Sequence, residues 1–152
     1  MRRLLSIIAI AILSSVMLAA QDREEVEGIL SRLGDERVSL HYSCTIAGPD
    51  GVDITLEGTI LAQHNCYFAS GAGLAIYCDG QSRWTVDDEC REIYIENAVG
   101  VKEFLTDPAG WLGSVSNLNL MDVTFTPASE DDGAFRYDTT GLGEDWTIVD
   151  LR

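Results

Sequence analysis

The chain is poor in positive charge. Ten Lys and Arg stand against 25 Asp and Glu in 152 residues, a formal charge of −15. Phosphate backbones would be repelled, and no basic patch offsets the deficit, so nucleic acid is excluded as a partner. An anionic membrane surface is disfavoured for the same reason. Histidine is scarce too: His41 and His64 are the only two. His41 falls on the polar side of its segment and His64 near a segment end, with no nucleophile or orienting carboxylate recognisably placed around either. Cysteines stand at 44, 66, 78 and 90, with no C-x-x-C pair, so neither a zinc knuckle nor a thioredoxin-like motif is indicated. P-loop, dinucleotide-binding and nucleophile-elbow motifs are missing. Asp87-Asp88 and Glu130-Asp131-Asp132 lack the alternating ligand spacing of a calcium loop and read as solvated turns. The chain therefore reads as a non-enzyme, and no metal or cofactor is expected.

Long apolar runs are missing as well, with one exception. Arg2 and Arg3 precede Leu4–Leu18, an uncharged apolar run interrupted only by Ser6, Ser14 and Ser15, and Ala19-Ala20 follow. This is the pattern of a secretory signal cleaved after Ala20, and it is at the short end for a bilayer span. Residues 21–152 are then one domain's worth of chain. In an exported chain four cysteines suggest disulfides. A tight turn at Gly71-Ala72-Gly73 would bring Cys66 opposite Cys78 and leave Cys44 with Cys90; four buried thiols are the alternative.

What is present is alternation. Asp22–Leu33 carries Val26, Ile29, Leu30 and Leu33 on one helical stripe, with Asp22 as cap and Gly34 as stop. Val38–Ile46 alternates as a half-buried strand, and Gly48–Gly51 is a turn. Val52–Gln63 alternates again, with Gly58 interrupting its apolar side at an expected bulge or bend. Asn65–Ala69 is a short strand. Leu74–Cys78, Ser82–Val86 and Arg91–Glu96 form a meander, joined by a two-residue Asp79-Gly80 turn and by Asp87-Asp88-Glu89. Ile93 and Ile95 share one side of the last strand. Val99–Leu105 reads as a short helix. A second starts at Asp107-Pro108 and presents Trp111, Leu112 and Val115. Met121–Thr126, Ala134–Asp138 and Trp146–Leu151 read as strands. The fold class is mainly β (α+β): a curved antiparallel sheet, with helices packed against its concave face.

Several of these pieces together resemble the LolA-type periplasmic carriers of outer-membrane lipoproteins, in their short Bacteroides-type form. They are the amphipathic helix, the strand with Val38, Leu40 and Tyr42, and Gly58-Thr59-Ile60-Leu61. The hairpin Asp79-Gly80-Gln81-Ser82-Arg83-Trp84 is the most specific piece, followed by Glu92-Ile93-Tyr94-Ile95, Asp107-Pro108 and the ending Asp145–Arg152. The resemblance implies an incomplete β-barrel with helices closing its mouth. It implies a periplasmic carrier that holds lipoprotein acyl chains or lipid in an apolar cavity, between an inner-membrane release complex and an outer-membrane acceptor. The shared apolar side and the resemblance together make Leu40, Tyr42, Ile54, Leu56, Ile60, Phe68, Ile76, Trp84, Ile93 and Ile95 the expected cavity lining. The family's second strand ends in Arg-Pro, the Arg latching sheet to lid; His64-Asn65 stand there here, which makes His64 the latch candidate. A non-carrier scaffold module of the same fold, with a filled core and an acidic exterior, is the competing expectation.

Overall fold

The computed structural model describes residues 20–48, 50–106 and 115–152. The expected signal segment and the expected helix start at Asp107-Pro108, with Trp111 and Leu112, lie outside the described residues. The described residues open with helix α1 (Ala20–Arg32), so Asp22 falls inside the helix and not at its cap. Six strands follow: β1 (Glu36–Ala47), β2 (Asp53–Gln63), β3 (Cys66–Gly71), β4 (Leu74–Cys78), β5 (Ser82–Asp87) and β6 (Glu92–Asn97). Then come a short helix α2 (Val101–Thr106), strand β7 (Val115–Pro127) and strand β8 (Thr147–Asp150). Val115 therefore begins a strand and does not belong to a helix.

The strands form a single open sheet in the order β7-β1-β2-β3-β4-β5-β6-β8, not closed into a barrel. Each neighbour from β7 to β6 is antiparallel, but β8 runs parallel to β6, so the sheet is mixed. The chain's path explains the exception. β7 and β8 occupy opposite edges, and residues 128–146 cross one face of the sheet to join them. A crossover from edge to edge can deliver its strand parallel, which a hairpin cannot.

The expected Ala134–Asp138 strand lies in this crossover. Gly133–Phe135 is one 3-10 turn, and the chain beyond it is irregular. Side-chain anchoring replaces sheet pairing there. Gln63 is 1 % exposed. Its Oε1 accepts from Arg37 Nε (2.7 Å) and from the Ser129 amide (3.1 Å), while its Nε2 donates to the Ser129 carbonyl (2.8 Å). Phe135 is fully buried and Tyr137 packs on Tyr77. A buried amide with both ends satisfied fixes direction without desolvation loss.

Gly58 marks no bulge. The β1–β2 register runs unbroken from Val38–Ala62 to Ala47–Asp53, with Tyr42 opposite Gly58 and Gly58 in turn opposite Gly71. The Tyr42 ring lies over both glycines, and its hydroxyl donates to the Ser70 carbonyl (3.0 Å). A Cβ at either glycine would collide with that hydroxyl. The glycine pair thus makes room for an aromatic ring. The register shifts lie between β1 and β7 instead, where Asn117 and Asp122 take positive φ. Asp79-Gly80 also differs from a two-residue turn. The last paired residues are Cys78 and Arg83, so four residues intervene. The Asp79 carboxylate accepts from the amides of Gln81 and Ser82 (both 2.9 Å) and organises that wider turn.

Candidate functional site

Cross-strand register decides which apolar residues share a side. Tyr42, Leu40 and Ile60 stand with Ala62, Ala69, Tyr67, Ile76 and Cys78 on the side that bears the helices. Ile76 pairs with Thr85 and Tyr77 with Trp84, so Trp84 and Val86 point to the other side. Trp84 pairs with Ile95 and Val86 with Ile93, which carries that choice into β6. Phe68, opposite Tyr77, belongs with them. The expected ten-residue lining is therefore split. Leu40, Tyr42, Ile54, Leu56, Ile60 and Ile76 are on the helix side, while Phe68, Trp84, Ile93 and Ile95 are on the crossover side. Within the first group Ile54 is 42 % exposed near the β1–β2 turn, beyond the helices' reach.

The two sides have separate cores. On the crossover side Val86, Ile93 and Ile95 pack with Ala75, Tyr77 and Trp84, covered by Tyr137, Leu142 and Trp146. On the helix side α1 contributes Val26, Ile29 and Leu33, and α2 contributes Val101, Phe104 and Leu105. Alternation at three, four and seven residues gives α1 its buried stripe.

Between the helices and the sheet lies a small cavity of about 20 Å³. Val26, Ile29 and Leu105 close it from the helix side; Leu40, Tyr42 and Ile60 form its floor, and Leu118 and Leu120 of β7 its wall. Burial pushes the Tyr42 phenol up to about 12, with the neighbouring Cys44 thiol adding a smaller effect, and burial raises Cys44 as well. Both groups stay neutral at physiological pH, so the floor is uncharged. Its volume is that of about one water molecule, so a larger guest requires the helices to move.

The helices are held lightly. The β2–β3 turn pins both. The His64 amide donates to the Leu33 carbonyl (2.6 Å), and Asn65 Oδ1 accepts from the Val101 amide at the start of α2 (3.1 Å). The His64 side chain is exposed. Asn65 thus makes the lid contact by its side chain, and His64 contributes through its backbone, at positive φ. Sequence reading missed Asn65 because a polar turn residue after a strand carries no periodic signal. Asn is favoured where a short side chain must reach nearby amides.

The cysteines are thiols, and geometry opposes both expected bridges. Cys78 pairs with Tyr67, one residue from Cys66, so the Cys66 and Cys78 side chains leave opposite sides of the sheet. Cys44 is on β1 and Cys90 follows β5. Four strand spacings, roughly 20 Å, separate those strands.

A second hollow, an open groove of about 390 Å³, is lined by His41, Tyr42, Glu57, Gly58, Thr59, Met121 and Asp122. His41 Nδ1 lies 3.4 Å from Asp122 Oδ2, and both side chains are mostly exposed. The contact braces the register shift at Asp122. Among the described residues, no group of three or more His, Cys, Asp and Glu converges as a metal site would require. No family model matches the chain, and no curated protein matches it.

Proposed function

We propose that this chain is a periplasmic carrier that takes up an acyl chain, from a lipoprotein or another amphiphile, between its two helices and the helix-bearing side of its sheet. The observation that carries the reading is the partly enclosed, largely apolar cavity beneath α1 and α2. Its cover is one short helix and one amphipathic helix, both pinned by the β2–β3 turn, with α1 also tied to β1 by an exposed Arg32–Glu36 pair. An acyl chain entering there gains about 0.8 kcal/mol for each CH₂ removed from water. That gain drives the helices outward, so the closed cavity is the resting form. The LolA-type resemblance supports the same reading, with export through the first 20 residues. An inner-membrane release complex is the donor and an outer-membrane acceptor the destination.

The test is titration of delipidated protein with a fluorescent fatty acid. Saturable uptake is expected, and Leu120→Trp, which fills the cavity from β7, should abolish it while the protein stays folded. No uptake by folded wild-type protein would end the carrier reading. One observation favours a second reading, a scaffold module with a filled core: the cavity as it stands has room for only about one water. That reading is supported if native mass spectrometry of protein from its own envelope finds a stable complex and no lipid.

A further inference from the structure

A row of polar side chains crosses the helix-bearing side next to the cavity. Tyr67 on β3 pairs with Cys78 on β4, Cys78 with Arg83 on β5, and Arg83 with Glu96 on β6. α2 covers the row. The Phe104 ring stacks on Tyr67 with centroids 4.1 Å apart, and the Cys78 thiol lies 3.8 Å from the Val99 carbonyl. Tyr67 is fully buried. Arg83 Nη2 donates to Glu96 Oε2 at 2.6 Å, and that contact neutralises the guanidinium charge.

Two atoms of the row are left over. Tyr67 Oη and Arg83 Nε are both buried, and neither has a hydrogen-bond partner among the described residues. Arg83 and Cys78 both stand close enough to the phenol to influence its acidity, but neither reaches hydrogen-bond geometry with Tyr67 Oη. A direct bond between Tyr67 and Arg83 would not complete the row, because Arg83 donating to the phenol oxygen still leaves the phenol proton without an acceptor. What the pair lacks is one acceptor that receives from both. Glu96 already answers the positive charge, so a second anion would be buried uncompensated. The missing group is a neutral acceptor.

The position suits an acyl ligand. Tyr67 stands two residues along β3 from Ala69, the partner of cavity-lining Ile60, a step of about 7 Å. On α2, Phe104 covers Tyr67 while the adjacent Leu105 lines the cavity. A shift of α2 that widens the cavity therefore lifts Phe104 from the phenol as well. We propose that Tyr67 and Arg83 together receive the ester or amide carbonyl of an acylated ligand whose chain occupies the cavity. The inference rests on the uptake reading above and adds a ligand class: an acyl ester or amide in preference to a chain without a carbonyl.

The test compares 1-palmitoylglycerol with 1-O-hexadecylglycerol, which keeps chain length and head group but has no carbonyl. Both compete against the fluorescent fatty acid on the full exported chain. The ester should bind about tenfold tighter, the effect of one or two hydrogen bonds. Tyr67→Phe and Arg83→Lys, the latter keeping a charge for Glu96, should each lower ester affinity and leave ether affinity unchanged. Ligand-free Tyr67→Phe should melt no lower than wild type, because the hydroxyl it removes has no partner. Equal wild-type affinities, equal losses for both glycerides in the variants, or a clear fall in the Tyr67→Phe melting temperature would each overturn the inference while leaving uptake standing. A wild-type protein that takes up neither glyceride nor the fatty acid overturns the uptake reading, and the inference with it.

Discussion

The two sides of this sheet are built from similar residues and covered in different ways. On one side the crossover between β7 and β8 lays Phe135, Tyr137, Leu142 and Trp146 over the strands, anchored by Gln63 and Arg37. On the other, α1 and α2 cover the strands mainly through apolar contacts, with two hydrogen bonds from the β2–β3 turn and, at the exposed end of α1, an Arg32–Glu36 ion pair and the Arg32 guanidinium over the Phe125 ring. The crossover is fixed at both ends by sheet strands, at its start by the buried amide of Gln63 bonded to Ser129, and further along by the buried Phe135 ring. The helix cover has fewer buried ties, and it roofs the cavity. A cover held mainly by apolar contact can exchange them for contacts with an acyl chain; one held by buried hydrogen bonds would leave polar groups unsatisfied if it moved.

The largest expected effect comes from truncating the fixed cover. Phe135→Ala should lower stability by about 3–5 kcal/mol in urea unfolding and leave fatty-acid affinity of the remaining folded protein unchanged. Leu105→Ala on α2 should destabilise by about 2–3 kcal/mol and change that affinity, since it alters the cavity wall. If the two variants affect uptake alike, the two covers are not separate devices.

A smaller effect is expected at the pin between sheet and lid. Asn65→Ala removes the acceptor for the Val101 amide and should cost about 1 kcal/mol. Faster hydrogen exchange should be confined to α2, with the amides of β5 and β6 unaffected. His64→Ala should do little, because His64 acts through its backbone.

The smallest effect is an alkaline one, specific to the cavity floor. The Tyr42 phenol ionises near 10 when unfolded and at about 12 in the fold, where burial disfavours its charged form. Its folded value is raised, so its contribution is complete below pH 10 and is lost as pH rises toward 12. Urea midpoints should fall over that range. Tyr42→Phe should flatten part of the fall, with Tyr67, raised in the same direction by burial, supplying the remainder.

Much of the fold was legible in the sequence, and several of the failures concern pairing between strands. Leu74–Cys78 was delimited as the structure has it, and β1, β5 and β6 to within two residues. Period two fixes alternation within a strand but not which side each set of residues faces. Ile76 and Trp84 each look inward in their own strand; the Tyr77–Trp84 pairing shows that they face opposite ways. A two-residue turn at Asp79-Gly80 would pair Ala75 with Trp84, and the observed four-residue turn pairs Tyr77 with it. Both put Ile76 and Trp84 on opposite sides, so the fault lies in grouping apolar residues strand by strand without following the pairing across. Cys66–Cys78 looks like a bridge for a different reason, a one-residue error at the β3–β4 turn: Gly71 is paired with Leu74, so only Ala72 and Gly73 form the loop and Cys78 meets Tyr67. The crossover was illegible for another reason: Phe135 and Tyr137 alternate as a strand would, while their anchoring depends on Gln63, far away in sequence. Gly58 stands out in the sequence, but only its pairing with Gly71 and Tyr42 distinguishes a close ring approach from a bulge.

Photolabelling with a palmitoyl glyceride carrying a diazirine in its acyl chain tests the central claim most directly. Mass-spectrometric mapping should place the label on Val26, Ile29, Leu105, Leu118 or Leu120, around the cavity, and competing unlabelled lipid should remove it. Competable label on Tyr137, Leu142 or Trp146 would put the ligand on the crossover side. Label scattered over the surface without competition would deny a site at all. Either result would contradict the account.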